Sequence, residues 1–128
     1  MDPVAQMLNE IKNAQAVSKE SLSLSFSNFK YELLKILEKF HFIKKVDKKG
    51  RGVKRTLEIV LDYEDKLPKI TGFKKVSRPS QRTYLGAKKI KTTRGGLGIV
   101  IVSTSKGLMS VFEAKKKNLG GEVICEIW

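Results

Sequence analysis

Val4, Met7, Leu8 and Ile11 recur at intervals of three and four, the spacing of one buried helical face. They predict an amphipathic helix over residues 3–16. Asp2-Pro3 supplies the start: aspartate can accept from free amides, and proline's fixed φ suits the first helical position. Leu22, Leu24 and Phe26 then alternate with serines, the period of a short strand. Ser27 or Asn28 can cap a second helix, whose expected inner face is Phe29, Leu33, Ile36, Leu37 and Phe40. Ile43 to Asp47 and Val53 to Leu61 predict a hairpin turning at Lys48-Lys49-Gly50-Arg51-Gly52, with Leu57, Ile59 and Leu61 inward.

Asp62 to Lys69 mixes charge with Pro68 and reads as a junction between two lobes. Beyond it the pattern turns mostly to strand: Ile70 to Val76, a turn at Arg78-Pro79-Ser80, then Thr83 to Leu85. Ile99-Val100-Ile101-Val102 is apolar throughout and predicts a strand covered on both faces. Ser110 and Glu113 have capping-box spacing and predict one short helix through Lys117. Gly120-Gly121 turns the chain into a last strand, Glu122 to Trp128. The expected fold class is α+β: an N-terminal helix/strand lobe over residues 1–64 and a mostly antiparallel β lobe with one short helix over residues 65–128.

Composition sharpens this picture. In a chain of 128 residues, 41% apolar content is enough for a packed core. The net charge of +13 is high for that length and unevenly placed. Residues 1–64 carry twelve basic and nine acidic groups; residues 65–128 carry fourteen and four. From Lys66 to Phe112 there are eleven Lys and Arg and no acid at all. Ordinary surfaces intersperse both signs, so this window points to a polyanion, nucleic acid before membrane. The longest apolar run, Ile99 to Val102, falls far short of the ~20 residues that span a bilayer. Met1-Asp2-Pro3 lacks the basic start of a secretory signal, and the lone Cys125 cannot form an internal disulfide. A cytoplasmic protein with no membrane partner is expected.

Catalytic and metal readings are weak by comparison. One Cys and one His, His41, cannot supply a structural zinc set, and no cofactor is implied. Ser103-Thr104-Ser105-Lys106 fits the Ser-x-x-Lys pattern of penicillin-recognising enzymes, but Ser27 to Lys30 fits it equally and no partner motif accompanies either. Gly95-Gly96-Leu97-Gly98 leads into a strand, whereas phosphate-cradling glycine loops lead into a helix. It reads as a turn feeding a buried strand.

RNA binding divides naturally between two kinds of residue. Lys74, Lys75, Arg78, Arg82, Lys88, Lys89, Lys91 and Arg94 can present a strip to phosphates, which positions a protein without selecting a sequence. Ser103, Thr104 and Ser105 can reach base edges, and Tyr84 can stack. The bland reading of the serine run is a plain strand-to-turn transition.

Met7-Leu8-Asn9-Glu10-Ile11-Lys12-Asn13-Ala14, with the Asp2 to Gln6 segment before it, resembles the opening of the ribosomal protein S-eight family of the bacterial small subunit. Ser77-Arg78-Pro79, Arg82-Thr83-Tyr84, Gly96-Leu97-Gly98-Ile99, Ser103 to Ser110 and Gly120-Gly121-Glu122-Val123 resemble its later motifs in the right order. The resemblance implies a two-lobed, non-enzymatic protein that binds the central domain of small-subunit ribosomal RNA and supports subunit assembly among neighbouring ribosomal proteins. Some members also bind their own messenger RNA, so a free-standing RNA-binding translational regulator is the alternative. By position, Ser103, Thr104, Ser105, Lys106 and Gly107 would form the principal RNA loop, and Tyr84 and Glu122 would also lie where the family approaches RNA. Lys12, Asn13 and Lys30 fall in the N-terminal contact region. Ser80 stands where the family often has glycine, and Ser25-Phe26-Ser27-Asn28 where it usually has Pro-Ser-Ser-Lys.

Overall fold

Helix α1 (Pro3–Ala16) buries Val4, Met7, Leu8, Ile11, Ala14 and Gln15, the face its apolar spacing predicts. The computed structural model describes residues 3–75, 84–85 and 98–128. Arg78, Arg82, Lys88, Lys89, Lys91 and Arg94, the turn at 78–80, and the expected cap Asp2 lie outside the described residues. The chain divides into two compact units, residues 3–70 and residues 71–128.

In the first unit, α1 is followed by β1 (Ser21–Ser25), α2 (Asn28–Lys39), β2 (Ile43–Lys49) and β3 (Thr56–Leu61). The strands form an antiparallel sheet in the order β1-β3-β2. Leu57, Ile59 and Leu61 point inward from the central strand, as their alternation predicts. Ser27 caps α2, its side chain accepting from the Lys30 amide at 3.1 Å. The buried face of α2 is Leu33, Leu34 and Leu37, and Phe29 is 37% exposed. This corrects the expected face. At 3.6 residues per turn, Leu34 and Leu37 flank Leu33 on the buried side, which leaves Phe29 at the margin.

Two further expectations change here. Val53 does not open a strand: it lies in a 3-10 turn, Gly52–Lys54, and β3 begins at Thr56. Positive φ at Gly50 (81°) and Gly52 (58°) lets the chain fold back into that turn, out of the ladder. The 62–69 segment carries its own small hairpin, β4 (Tyr63–Glu64) with β5 (Leu67–Pro68), turned at Asp65 and Lys66 with φ of 52° and 67°. Tyr63 donates its hydroxyl to the Lys19 carbonyl at 2.6 Å, and desolvation raises its pKa.

The second unit is built around β10 (Gly121–Ile127), which has neighbours on both sides. One side holds β6 (Phe73–Lys75) and β7 (Tyr84–Leu85); the other holds β8 (Ile99–Thr104), which pairs in turn with β9 (Gly107–Ser110). The strand expected from Ile70 begins only at Phe73, because Thr71 and Gly72 both donate their amides to the Trp128 carbonyl. Helix α3 (Val111–Lys116) opens with the Ser110 side chain accepting from the Glu113 amide at 3.3 Å. Val100, Val102, Met109, Val111, Ala114 and Val123 form one core cluster, and Leu119 packs on it.

The three α-helices among the described residues end alike. Ser18, His41 and Asn118 take positive φ, and their amides bond three residues back while the next amide bonds five back. That is the Schellman arrangement, usually built on glycine. His41 is exposed there.

Candidate nucleic-acid interface

Strand β8 runs fully buried from Ile99 to Val102, then emerges at Ser103 and Thr104. Its inner half is a rigid stem, and Ser105 and Lys106 are exposed at its tip. The Thr104 hydroxyl locks the tip by donating to the Gly107 carbonyl at 2.9 Å and accepting the Lys106 amide at 3.1 Å. The donor and one of the two acceptor positions of that hydroxyl are therefore used within the turn. Gly107 carries a φ of 105°, a conformation that side-chain-bearing residues rarely adopt. The result is a preformed two-residue loop that presents one hydroxyl and one ammonium group to solvent.

The base of this loop sits tightly on β10. A Cβ placed on Gly121 would collide with the Ser103 carbonyl oxygen and lie 2.9 Å from its carbon. Glycine here lets β10 press against the Ser103–Thr104 peptide. On one side Glu122 pairs with Ser103; on the other it pairs with Tyr84. Three separately predicted site positions, Tyr84, Glu122 and Ser103, therefore stand in one row across three adjacent strands. Their neighbourhood follows from sheet register, which no local motif displays.

The first unit holds the other predicted residues. Lys12 and Asn13 are exposed on α1, and Lys30 lies in the first turn of α2. Lys30 Nζ donates to the Ser25 carbonyl at 3.2 Å and to its hydroxyl at 3.1 Å. Lys30 lines a cleft of about 300 Å³ with Gln6, Glu10 and Ser25. Asn13 lines a neighbouring cleft that shares Glu10, Ser23 and Leu24 with it. Lys12 lines neither. Arg78, Arg82, Lys88 and Lys89 lie outside the described residues.

The acid-free window is less uniform in space than in sequence. Strand β10 brings Glu126 opposite Lys74 and Glu122 opposite Ser103. A carboxylate from beyond the window thus stands opposite the cationic strand at Lys74.

Sequence reasoning missed a second basic element by reading it only as a turn. The β2–β3 tip, residues 48–55, contains Lys48, Lys49, Arg51, Lys54 and Arg55 and no acid. Lys48 Nζ lies 4.6 Å from the Tyr31 ring centroid, and the Arg55 guanidinium lies 4.6 Å from that of Phe26. Below the tip, Glu38 ties α2 to β2 by accepting the Val46 amide at 2.9 Å, and it pairs with Lys35 at 2.9 Å. The Lys35 hydrogen bond holds the Glu38 carboxyl below its ordinary value; desolvation opposes this, and the Val46 amide adds to the lowering.

No helix among the described residues is long and apolar enough to cross a membrane, and no group of three or more His, Cys, Asp and Glu among them could hold a metal ion. The family model for "Ribosomal protein S8" matches residues 2–128. A "Small ribosomal subunit protein uS8" from Thermus aquaticus is 44% identical over 135 residues, covering 99% of this chain and 98% of that one. The protein of the same name from Petrotoga mobilis is 42% identical over 131 residues, with 99% and 98% coverage. That from Mesomycoplasma hyopneumoniae is 40% identical over 127 residues, with 99% and 96% coverage. With its α+β architecture and its rigid hydroxyl loop, this chain belongs to the ribosomal protein S8 family.

Proposed function

We propose that the chain is a structural constituent of the small ribosomal subunit that binds the central domain of small-subunit ribosomal RNA directly and supports subunit assembly. The observation that carries this reading is the preformed Ser105-Lys106 tip, locked by Thr104 and seated against Gly121. Fixed hydroxyl and amide groups lose little entropy on binding and discriminate by fit. RNA helices with internal loops expose base edges that such a tip can reach, whereas the narrow major groove of a plain A-form duplex does not admit it. Ser103, Ser105, Lys106, Glu122 and Tyr84 make up the selecting region in this reading, and Thr104 and Gly107 hold it in shape. Lys12, Asn13 and Lys30 form a second contact region. Neighbouring small-subunit proteins are its other partners, and the setting is the cytoplasmic ribosome.

Chemical footprinting of small-subunit RNA with and without the protein tests this directly. Protection confined to one internal-loop helix of the central domain is the expected result. Uniform weak protection across the RNA would refute a selecting role. Failure to co-sediment with small subunits while still protecting a messenger RNA would favour a free-standing regulator instead.

A further inference from the structure

Three cations of the first unit are paired locally: Lys35 with Glu38, Lys45 with Asp47 and Lys69 with Glu64. Residues 3–70 carry fourteen Lys and Arg against nine Asp and Glu. The five cations of residues 48–55 equal that whole excess. Among the described residues, none of the five has a carboxylate partner. An ordinary solvated face would mix both signs; this tip does not.

The tip is also ordered. Lys54 donates its amide to Arg51 and Arg55 donates to Gly52, each at 3.2 Å, closing the 3-10 turn. A Cβ on Gly50 would come within 2.7 Å of the Lys54 carbonyl oxygen, so the two sides of the tip touch. Lys48 and Arg55 are drawn over Tyr31 and Phe26 at the base. Lys49, Arg51 and Lys54 remain exposed at the end, beside Val53 at 103% exposure.

We infer that the β2–β3 tip is a further phosphate-binding surface for RNA, acting through Lys49, Arg51 and Lys54 without regard to base sequence. This rests on the reading of the chain as RNA-binding and adds a distinct contact to it. Clustered, unpaired cations on a fixed scaffold match the closely spaced charges of a nucleic-acid backbone, and each phosphate neutralised releases counterions. Such contacts add affinity and steering but carry no sequence information.

The test uses the full chain, one internal-loop RNA hairpin and one plain mixed-sequence RNA duplex, with affinity measured across about 50 to 200 mM salt. Changing Lys49→Gln, Arg51→Gln and Lys54→Gln together should flatten the log-affinity against log-salt slope by about 2 on both RNAs, leaving their affinity ratio unchanged. Lys49→Arg with Lys54→Arg should keep the parental slope, since charge alone is required. Unaltered circular dichroism and thermal midpoint would show that the tip was changed without loss of fold. An unchanged slope would overturn the inference, and so would weakening on one RNA only. Loss of binding to poly-glutamate with RNA binding intact would also overturn it, assigning the tip to an acidic protein instead. If the parent chain binds neither RNA, the underlying RNA reading fails; if it binds both and the triple change does nothing, only the tip assignment fails.

Discussion

Two hairpin tips among the described residues are built in contrasting ways. The β2–β3 tip uses two positive-φ glycines and a 3-10 turn to hold five cations with no acid among them. The β8–β9 tip offers one exposed cation, Lys106, but fixes its backbone with two hydrogen bonds of the Thr104 hydroxyl. Charge acts over about 8 Å at physiological ionic strength and tolerates imprecise placement. Hydrogen bonds need donor and acceptor within a few tenths of an ångström. In the proposed reading, an element that attracts can turn through a glycine with free space around it, as at Gly52, whereas one that selects needs a seat. The seat is Gly121.

Substituting that seat should have the largest effect. Gly121→Val forces a side chain into the Ser103 peptide and should destabilise the protein by about 1–3 kcal/mol in urea titration. The preference for internal-loop RNA should fall with it. Gly52→Ala is the matching change on the other tip. No atom lies within 4 Å of the added Cβ, so only its positive φ of 58° is penalised, at about 1 kcal/mol. Equal losses at the two positions would erase the distinction between the filled space at Gly121 and the free space at Gly52.

Next comes Thr104→Val, which removes two hydrogen bonds while keeping the side chain's shape. About 1–2 kcal/mol of stability should go. Binding to internal-loop RNA should weaken more than binding to a plain duplex. A uniform loss on both RNAs would mean that Thr104 supports folding alone.

Glu38 anchors the strand that carries the cationic tip, and Glu38→Ala should cost about 1 kcal/mol through the lost Val46 bond. Because the folded protein holds this carboxyl below its ordinary value of 4.5, the stabilisation is complete above that value. It is lost as pH falls through the lowered folded-state pKa. Glu38→Gln should remove this acid-side slope from a stability-versus-pH curve; an unchanged slope would locate it in other carboxylates.

The smallest expected change is the most selective. Ser105→Ala should leave urea stability alone and weaken internal-loop RNA binding by about 0.5–1.5 kcal/mol, with little effect on a duplex. Loss of stability instead would show that the hydroxyl serves the turn and not the ligand.

Most helices and strands were legible before any coordinates, and the reasons are local. The α1 stripe, the alternation at Leu57, Ile59 and Leu61, the apolar run at Ile99 to Val102 and the Ser110–Glu113 cap each encode their element within a few residues. Errors gathered where local signals were absent or ambiguous. Phe29 and Leu34 both satisfy a helical period, and only packing against the sheet chooses between them.

The ingredients of the proposed interface are likewise readable as types: serines, a lysine, a glycine and an excess of positive charge. Sequence by itself determined the secondary elements, the family pattern and the cationic character, because these depend on residues close together in the chain. Tertiary structure alone decided that Thr104 is committed to the turn, that Tyr84, Glu122 and Ser103 share a row, and that Glu126 stands opposite Lys74. It also turned an inconspicuous glycine-lysine turn into an unpaired cationic tip. Strand register and side-chain satisfaction are long-range properties, and they come into being only when distant segments meet.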